Sequence, residues 1–298
     1  MKIIVTGSSG QVGSYLVEHF SKDHEVTGLD NRPCPFPAAA KFSKKIDIAK
    51  TRDLNAYLKN ADWVIHTAAQ VSVERSLKDP IFDAENNVIG TVNVLWNAFK
   101  SDASNLLYIS SAAVYGNPVK VPLPEDHPTN PLSPYGASKL CGEKYTLAFA
   151  AAYGLCVTIV RPFNIYSSRA DPASPYSGVI TKFVRWAKEG KPLLIEGDGK
   201  QTRDFVHMDD VVRMADLVVK KPKASVGRTF NCGTGKRSTV LDLADAIRIL
   251  SGGEAEIKHV DPRVGDIKHS CADITSAEEV LGYFPKVPLD KGLKEMMA

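Results

Sequence analysis

Tyr135 and Lys139 stand four positions apart in "SPYGASKLCGEK" (133–144), and on a helix that spacing puts a phenol and an ammonium group on one face. A phenol with a pKa of ~10 is a poor base at neutral pH, but a neighbouring cation favours its phenolate, so the pair could remove a proton from a hydroxyl. Near the start of the chain, "TGSSGQVGSYL" spaces Gly7, Gly10 and Gly13 around Gln11 and Val12. Glycine lets backbone approach a pyrophosphate closely, and the helix that follows offers unpaired N–H groups and a positive dipole end. Asp30 closes the next apolar run. Its carboxylate suits the ribose hydroxyls of NAD and would repel the extra phosphate of NADP; Arg32, two residues on, weakens that preference without reversing it. Asp47 and Ile48, after a third strand, either contact the adenine of the same nucleotide or form a solvated turn.

Such groups need a frame that brings strand ends together. The runs "KIIVT" (2–6), "HEVTGL" (24–29), "ADWVIHT" (61–67), "NLLYIS" (105–110) and "LCVTIV" (155–160) are short, apolar and β-branched, as strands buried in parallel sheets are. Helical stretches separate them, among them one carrying Val12, Leu16, Val17 and Phe20 and another from Ala84 to Lys100. This order predicts an α/β doubly wound parallel (Rossmann) sheet over residues 1–166, with ligands at the carboxyl ends of its strands. After Ser167 the pattern turns irregular, with a helix near 178–189 and turns such as "GDGKQ". The expected second part, 167–298, is a smaller α+β cap folded back on the first, some of its segments returning to the sheet.

The chain has 298 residues, 44% of them hydrophobic, enough for a large core. A net charge of +3, from 37 basic and 34 acidic residues, is too small and dispersed for a nucleic-acid surface. Five cysteines, at 34, 141, 156, 232 and 271, form neither CxxC pairs nor a zinc spacing, and their odd number argues against a disulfide framework. The longest apolar run, "LAFAAAYGLCVTIV", is broken by Tyr-Gly and too short to span a bilayer. The sequence therefore reads as cytoplasmic, without membrane or nucleic-acid partners.

Taken in order, the glycine spacing, "HTAAQVSVERS", "NNVIGTVNVL", "SSAAVYG", the Tyr135/Lys139 pair, "RPFNIY" and "GDGKQTRDFVHMDDV" resemble the extended short-chain dehydrogenase/reductase family, most closely its NAD-dependent UDP-hexose 4-epimerase group. The likeness covers nearly the whole chain. It implies that Tyr135 is the base, that Lys139 holds the nicotinamide ribose and that Ser111 hydrogen-bonds the reacting oxygen. It also implies an NAD site that includes Asn31, Ala68, Ala69, Gln70, Asn87 and Pro162. Family members that dehydrate nucleotide sugars resemble one another in an Asp-Glu pair after the serine, and decarboxylases in a glutamate nearby. This chain has Ala112-Ala113, which leaves reversible oxidation with NAD retained.

For the UDP-sugar, the resemblance points to Asn164, Val179, Arg203 and Arg263, the arginines pairing bidentately with phosphate oxygens. Ser270 matches a position where relatives restricted to UDP-glucose and UDP-galactose tend to carry tyrosine, so it implies room for N-acetylated sugars. Ser167 departs from the family's usual glycine. His207, Asp209 and Asp210 look like metal ligands but fall at a helix start, where capping is expected and no metal is assigned. The resemblance also implies a homodimer built on helices at 84–100 and 134–153, with Val88, Val92, Leu95, Trp96 and Phe99 supplying apolar surface. Two other readings remain open: a net dehydrogenase releasing NADH and a non-catalytic NAD-binding sensor.

Overall fold

A computed structural model describes residues 1–170, 178–262 and 267–298. Six strands open the chain: β1 (Lys2–Thr6), β2 (Glu25–Asp30), β3 (Ser43–Lys45), β4 (Trp63–His66), β5 (Asn105–Ile109) and β6 (Cys156–Pro162). Their order across one sheet is Thr229–Cys232, β6, β5, β4, β1, β2, β3, with every pairing parallel. The strand order reverses beside β1, which pairs with β2 on one side and β4 on the other. That leaves a crevice at the carboxyl ends, where doubly wound sheets bind ligands.

Alternation along β1 shows why the sheet is covered twice. Ile3 and Val5 join the core beneath the helix α1 (Gln11–Phe20) and the helix Met208–Lys220, together with Leu16, Val17, Phe20 and Met214. Ile4 points the other way, into a core with Val64, Val94, Leu95, Leu106 and Phe149. Successive strand side chains alternate faces, so a strand buried on both sides must be apolar throughout. A third core, with Phe183, Leu193, Ile195, Leu243, Ile247 and Leu293, lies in the C-terminal part and takes in Tyr166 from the first part. Three small pairings serve that region: Asn164–Tyr166 with Phe205–His207, Thr202–Arg203 with Ser238–Thr239, and Leu193–Glu196 with Ile257–Val260.

Two strands lie outside the apolar runs quoted above, and one helix differs from the sequence reading. Ser43–Lys45, polar because it is the sheet's edge, is the strand before Asp47, and Thr229–Cys232 is a C-terminal segment that returns to the sheet by pairing with β6. The expected helix from Ala84 to Lys100 is composite: a short helix Pro80–Ala84, a π-helical turn Glu85–Ile89, then a helix Gly90–Lys100. Such turns insert a residue and rotate one part of a helix against the next. Leu95 faces the core, whereas Val88, Val92 and Phe99 are half-buried and Trp96 is exposed. Ser133 caps the helix Pro134–Tyr153 by accepting the Gly136 N–H at 3.1 Å, and Gly154, at φ 71°, ends it. Among the described residues no helix is long and apolar enough to cross a membrane.

Candidate active site

The glycine turn after β1 is a space defined by missing Cβ atoms. Gly7 adopts φ +74°, and a Cβ there would lie 2.7 Å from the Ala68 backbone. At Gly13 a Cβ would come within 2.1 Å of the Gly7 carbonyl, so α1 packs against the turn only with glycine. Gly10 caps α1 without a side-chain bond, and the first turn holds no acidic residue. The N–H groups of Gln11, Val12 and Gly13 begin a helix whose opening donors have no intrahelical acceptors. Asp30 is aimed by two backbone donors, Ser9 N–H at 2.9 Å and Arg32 N–H at 3.1 Å. Asn31 and Arg32 beside it are exposed. An uncapped helix start, a cradle that Cβ atoms would fill and an oriented carboxylate fit a dinucleotide.

Two candidates for that nucleotide are otherwise engaged. Ile48 puts its side chain in the sheet core and its carbonyl on Asn93 Nδ2, while Asp47 Oδ1 closes a turn by accepting the Ala49 N–H. Asn87 is 1% exposed and serves as a brace. Its Oδ1 accepts the Gln70 N–H at 2.7 Å, and its Nδ2 reaches the Gln70 carbonyl, Asp83 Oδ1 and Ser138 Oγ at 2.9, 3.1 and 3.0 Å. Ala68, Ala69 and Gln70 are half-buried just beyond β4, and Pro162 is buried at the end of β6.

Ser111 lies just beyond β5, where its Oγ accepts the Ala113 N–H at 3.1 Å. Burial pushes the Tyr135 phenol's pKa up; the nearby Ser111 hydroxyl pulls it back, and the Asp83 carboxylate pushes it up further. The downward pull expected from Lys139 thus comes, in the protein alone, from the serine. Lys139 is 3% exposed, and its Nζ donates to the Ile109 carbonyl at 2.5 Å while lying 4.4 Å from the centre of the Tyr108 ring. Burial lowers its pKa to about 7 against the opposing pull of Glu143 and Asp83. Below it, His66 is clamped between Thr6 Oγ1 and Thr91 Oγ1 at 2.7 and 2.9 Å. Burial first, then Lys139, pushes that imidazole down to about 3, so it stays neutral.

Sequence reading missed the buried groups that hold this pair. Glu143, one turn beyond Lys139, binds Arg161 bidentately at 2.9 and 2.7 Å and accepts from Ser110 at 2.5 Å. Its i+4 spacing from Lys139 was a usable signal. Asp83 has the same spacing to Asn87, but its other partner, Gln70, comes from outside the helical segment.

On the C-terminal side, Asn164, Arg203 and Ser270 gather around Thr202 and Asp204. The Ser270 N–H and Arg203 Nη1 both donate to the Thr202 carbonyl, at 3.1 and 2.9 Å, and Asn164 Nδ2 donates to that of Asp204 at 3.1 Å. The Asp204 carboxylate collects the N–H groups of Thr234, Gly235 and Ala272 at 2.8, 3.0 and 3.1 Å, tying three segments into one wall. Val179 is half-buried at the start of its helix. Arg263 lies outside the described residues. Ser167 accepts from Gln11 Nε2 at 2.9 Å, linking this side to α1. His207 caps the helix Met208–Lys220 through the Asp209 N–H, and Asp210 accepts the N–H groups of Lys286 and Val287, all three residues being taken up structurally.

Residues 3–233 match the NAD dependent epimerase/dehydratase family. A UDP-glucose 4-epimerase of Mycolicibacterium smegmatis is 37% identical over 98% of this chain and 96% of its own length. Among solved structures, a UDP-N-acetylglucosamine 4-epimerase from Methanobrevibacter ruminantium, in complex with UDP-N-acetylmuramic acid, superimposes with a TM-score of 0.93 at 30% identity, covering 99% of this chain and 96% of that one. A UDP-glucuronic acid 4-epimerase from Bacillus cereus, in complex with UDP-glucuronic acid and NAD, does so with a TM-score of 0.91 at 31% identity, covering 100% and 98%.

Proposed function

The chain belongs to the NAD dependent epimerase/dehydratase family, whose cofactor is NAD, and on that premise we propose that it is a UDP-sugar 4-epimerase interconverting UDP-glucose and UDP-galactose. The observation that carries the reading is buried Tyr135 and Lys139 one turn apart on the helix Pro134–Tyr153, with Ser111 at the end of the neighbouring strand and the glycine cradle at the same strand ends. Residues 112 and 113, next to the serine, are alanines and add no acid or base.

Bound NAD supplies hydride exchange at the sugar's fourth carbon. Tyr135 takes the proton from the 4-hydroxyl as the oxygen becomes a carbonyl and gives it back when the alcohol re-forms. Ser111 donates to that oxygen and to the phenolate in turn, and Lys139, in its ammonium form, favours the phenolate. Gly7, Gly10 and Gly13 would admit the pyrophosphate of the nucleotide to the start of α1, and Asp30 would receive ribose hydroxyls. Asn164, Arg203 and Arg263 grip the UDP end. The keto sugar needs only to turn over between the two faces, so a small residue at the half-buried gate, Ser270, supports acceptance of UDP-N-acetylglucosamine too.

Proton NMR of the purified protein with UDP-galactose alone tests this. UDP-glucose should accumulate to equilibrium without NADH release; stoichiometric NADH would instead indicate a dehydrogenase, and no turnover of any UDP-hexose a binding protein. We also infer a homodimer, supported by the exposed Ile89, Trp96, Tyr145, Leu147 and Tyr153 on the two helical segments. Sedimentation at micromolar concentration giving only monomer would reject it.

A further inference from the structure

Outside the proposed catalytic set, one buried carboxylate in this part of the fold is incompletely used. Asp83 is 0% exposed, on the short helix Pro80–Ala84. Its Oδ1 accepts from Gln70 Nε2 at 2.8 Å and Asn87 Nδ2 at 3.1 Å, whereas its Oδ2 has no hydrogen-bond partner among the described residues. A buried carboxylate oxygen without a protein donor is costly, and such a group is stabilised by a nearby opposite charge. Glu143, the other buried carboxylate acting on Lys139, has both oxygens committed, to Arg161 and Ser110. Asn87 ties Asp83 to Ser138, which sits between Tyr135 and Lys139 on their helix.

We propose that Asp83 is a positioning residue for the Tyr135–Lys139 pair: held by Gln70 and Asn87, and tied through Asn87 to Ser138 on their helix, its free oxygen supplies a fixed negative charge to that pair. The inference rests on the epimerase reading for its role in turnover, but the ionisation it describes needs no substrate. Lys139 is faced by Glu143 and Tyr135 from its own helix, Asp83 from the short helix, His66 from β4 and Tyr108 from β5. Tyr135 is faced by the Ser111 hydroxyl, Asp83 and Tyr108. Asp83 raises the proton affinity of both members, so its removal should move both in the same direction.

The test is Asp83→Asn, which retains an acceptor for Gln70 and Asn87, with Asp83→Ser as a smaller uncharged replacement should the amide prevent folding. Two readouts are taken. The first is ultraviolet titration of the phenolate in the NAD-bound protein without substrate, Tyr135→Phe serving as blank to isolate the Tyr135 signal. The second is the pH profile of kcat. Removing the charge should shift the Tyr135 titration and both limbs of the bell to lower pH, by on the order of one pH unit. A folded variant whose titration and limbs stay at wild-type pH, even with a lowered kcat, overturns the proposal, because a loss of packing alone scales the profile without moving it. If wild-type protein turns over no UDP-sugar, the epimerase reading fails, and the titration still decides the role of Asp83.

Discussion

Replacing Lys139 with methionine should make the protein inactive yet change its stability in a way that depends on pH. Lys139 has an ordinary value of 10.5 and is lowered by burial to about 7. Below about pH 7 the side chain is protonated in both the folded and the unfolded chain, and the folded state bears the full cost of the buried ammonium. Between about 7 and 10.5 the unfolded chain binds the extra proton, so wild-type stability rises with pH by about 1.4 kcal/mol per unit. The whole gap corresponds to about 5 kcal/mol, an order-of-magnitude ceiling. Methionine fills similar volume and carries no charge, leaving the Ile109 carbonyl without its donor at a cost of about 1 kcal/mol at every pH. The stability difference between Lys139→Met and wild type should therefore favour the variant at about pH 6 and fall by about 2–3 kcal/mol by about pH 9. Urea unfolding of the two proteins, with matched NAD content, measures it. A difference constant across that range would refute the premise that Lys139 loses its proton near neutrality.

Tyr135→Phe removes the proton acceptor but preserves the buried ring; turnover should drop by roughly two to four orders of magnitude with little change in melting temperature, and near wild-type epimerisation would show that another group is the base. Gly13→Ala forces a Cβ to within 2.1 Å of the Gly7 carbonyl, so NAD recovered from denatured protein should fall well below one equivalent; full occupancy would mean that α1 can shift without losing the cradle. Ser270→Tyr should selectively abolish turnover of UDP-N-acetylglucosamine while sparing UDP-glucose, which competing-substrate NMR resolves; equal loss of both would remove the gate argument.

What could be read from the chain followed from local rules. "KIIVT" had to be a strand buried on both faces, and Gly7, Gly10 and Gly13 had to sit where backbone meets backbone or ligand, because those constraints act within a few residues. The edge strand Ser43–Lys45 is short and polar, and nothing local separates it from a loop; its pairing with Gly28, Leu29 and Asp30 defines it. The apolar spacing from 84 to 100 reads as one helix, since a single inserted residue at Glu85–Ile89 leaves hydrophobic periodicity nearly intact. Asp83 and Asn87 are ordinary polar residues until Gln70 and Ser138 are brought to them. Ser167 likewise acquires a partner only when Gln11, 156 residues away, is folded against it.

The placement of Thr229–Cys232 beside β6 has a consequence for synthesis. As the chain leaves the ribosome, the first six strands and the helices between them can assemble early, but β6 must wait with one side unpaired until Cys232 has emerged. An apolar strand with open N–H and C=O groups is a template for another chain, so this interval is when the nascent protein is most exposed to misassembly. The segment made during the wait carries Asn164, Arg203 and Asp204, but the groups that Asp204 gathers, at Thr234, Gly235 and Ala272, follow Cys232, so the sheet edge closes before the substrate side is complete. Truncation before Thr229 would leave an open edge as well as an incomplete site.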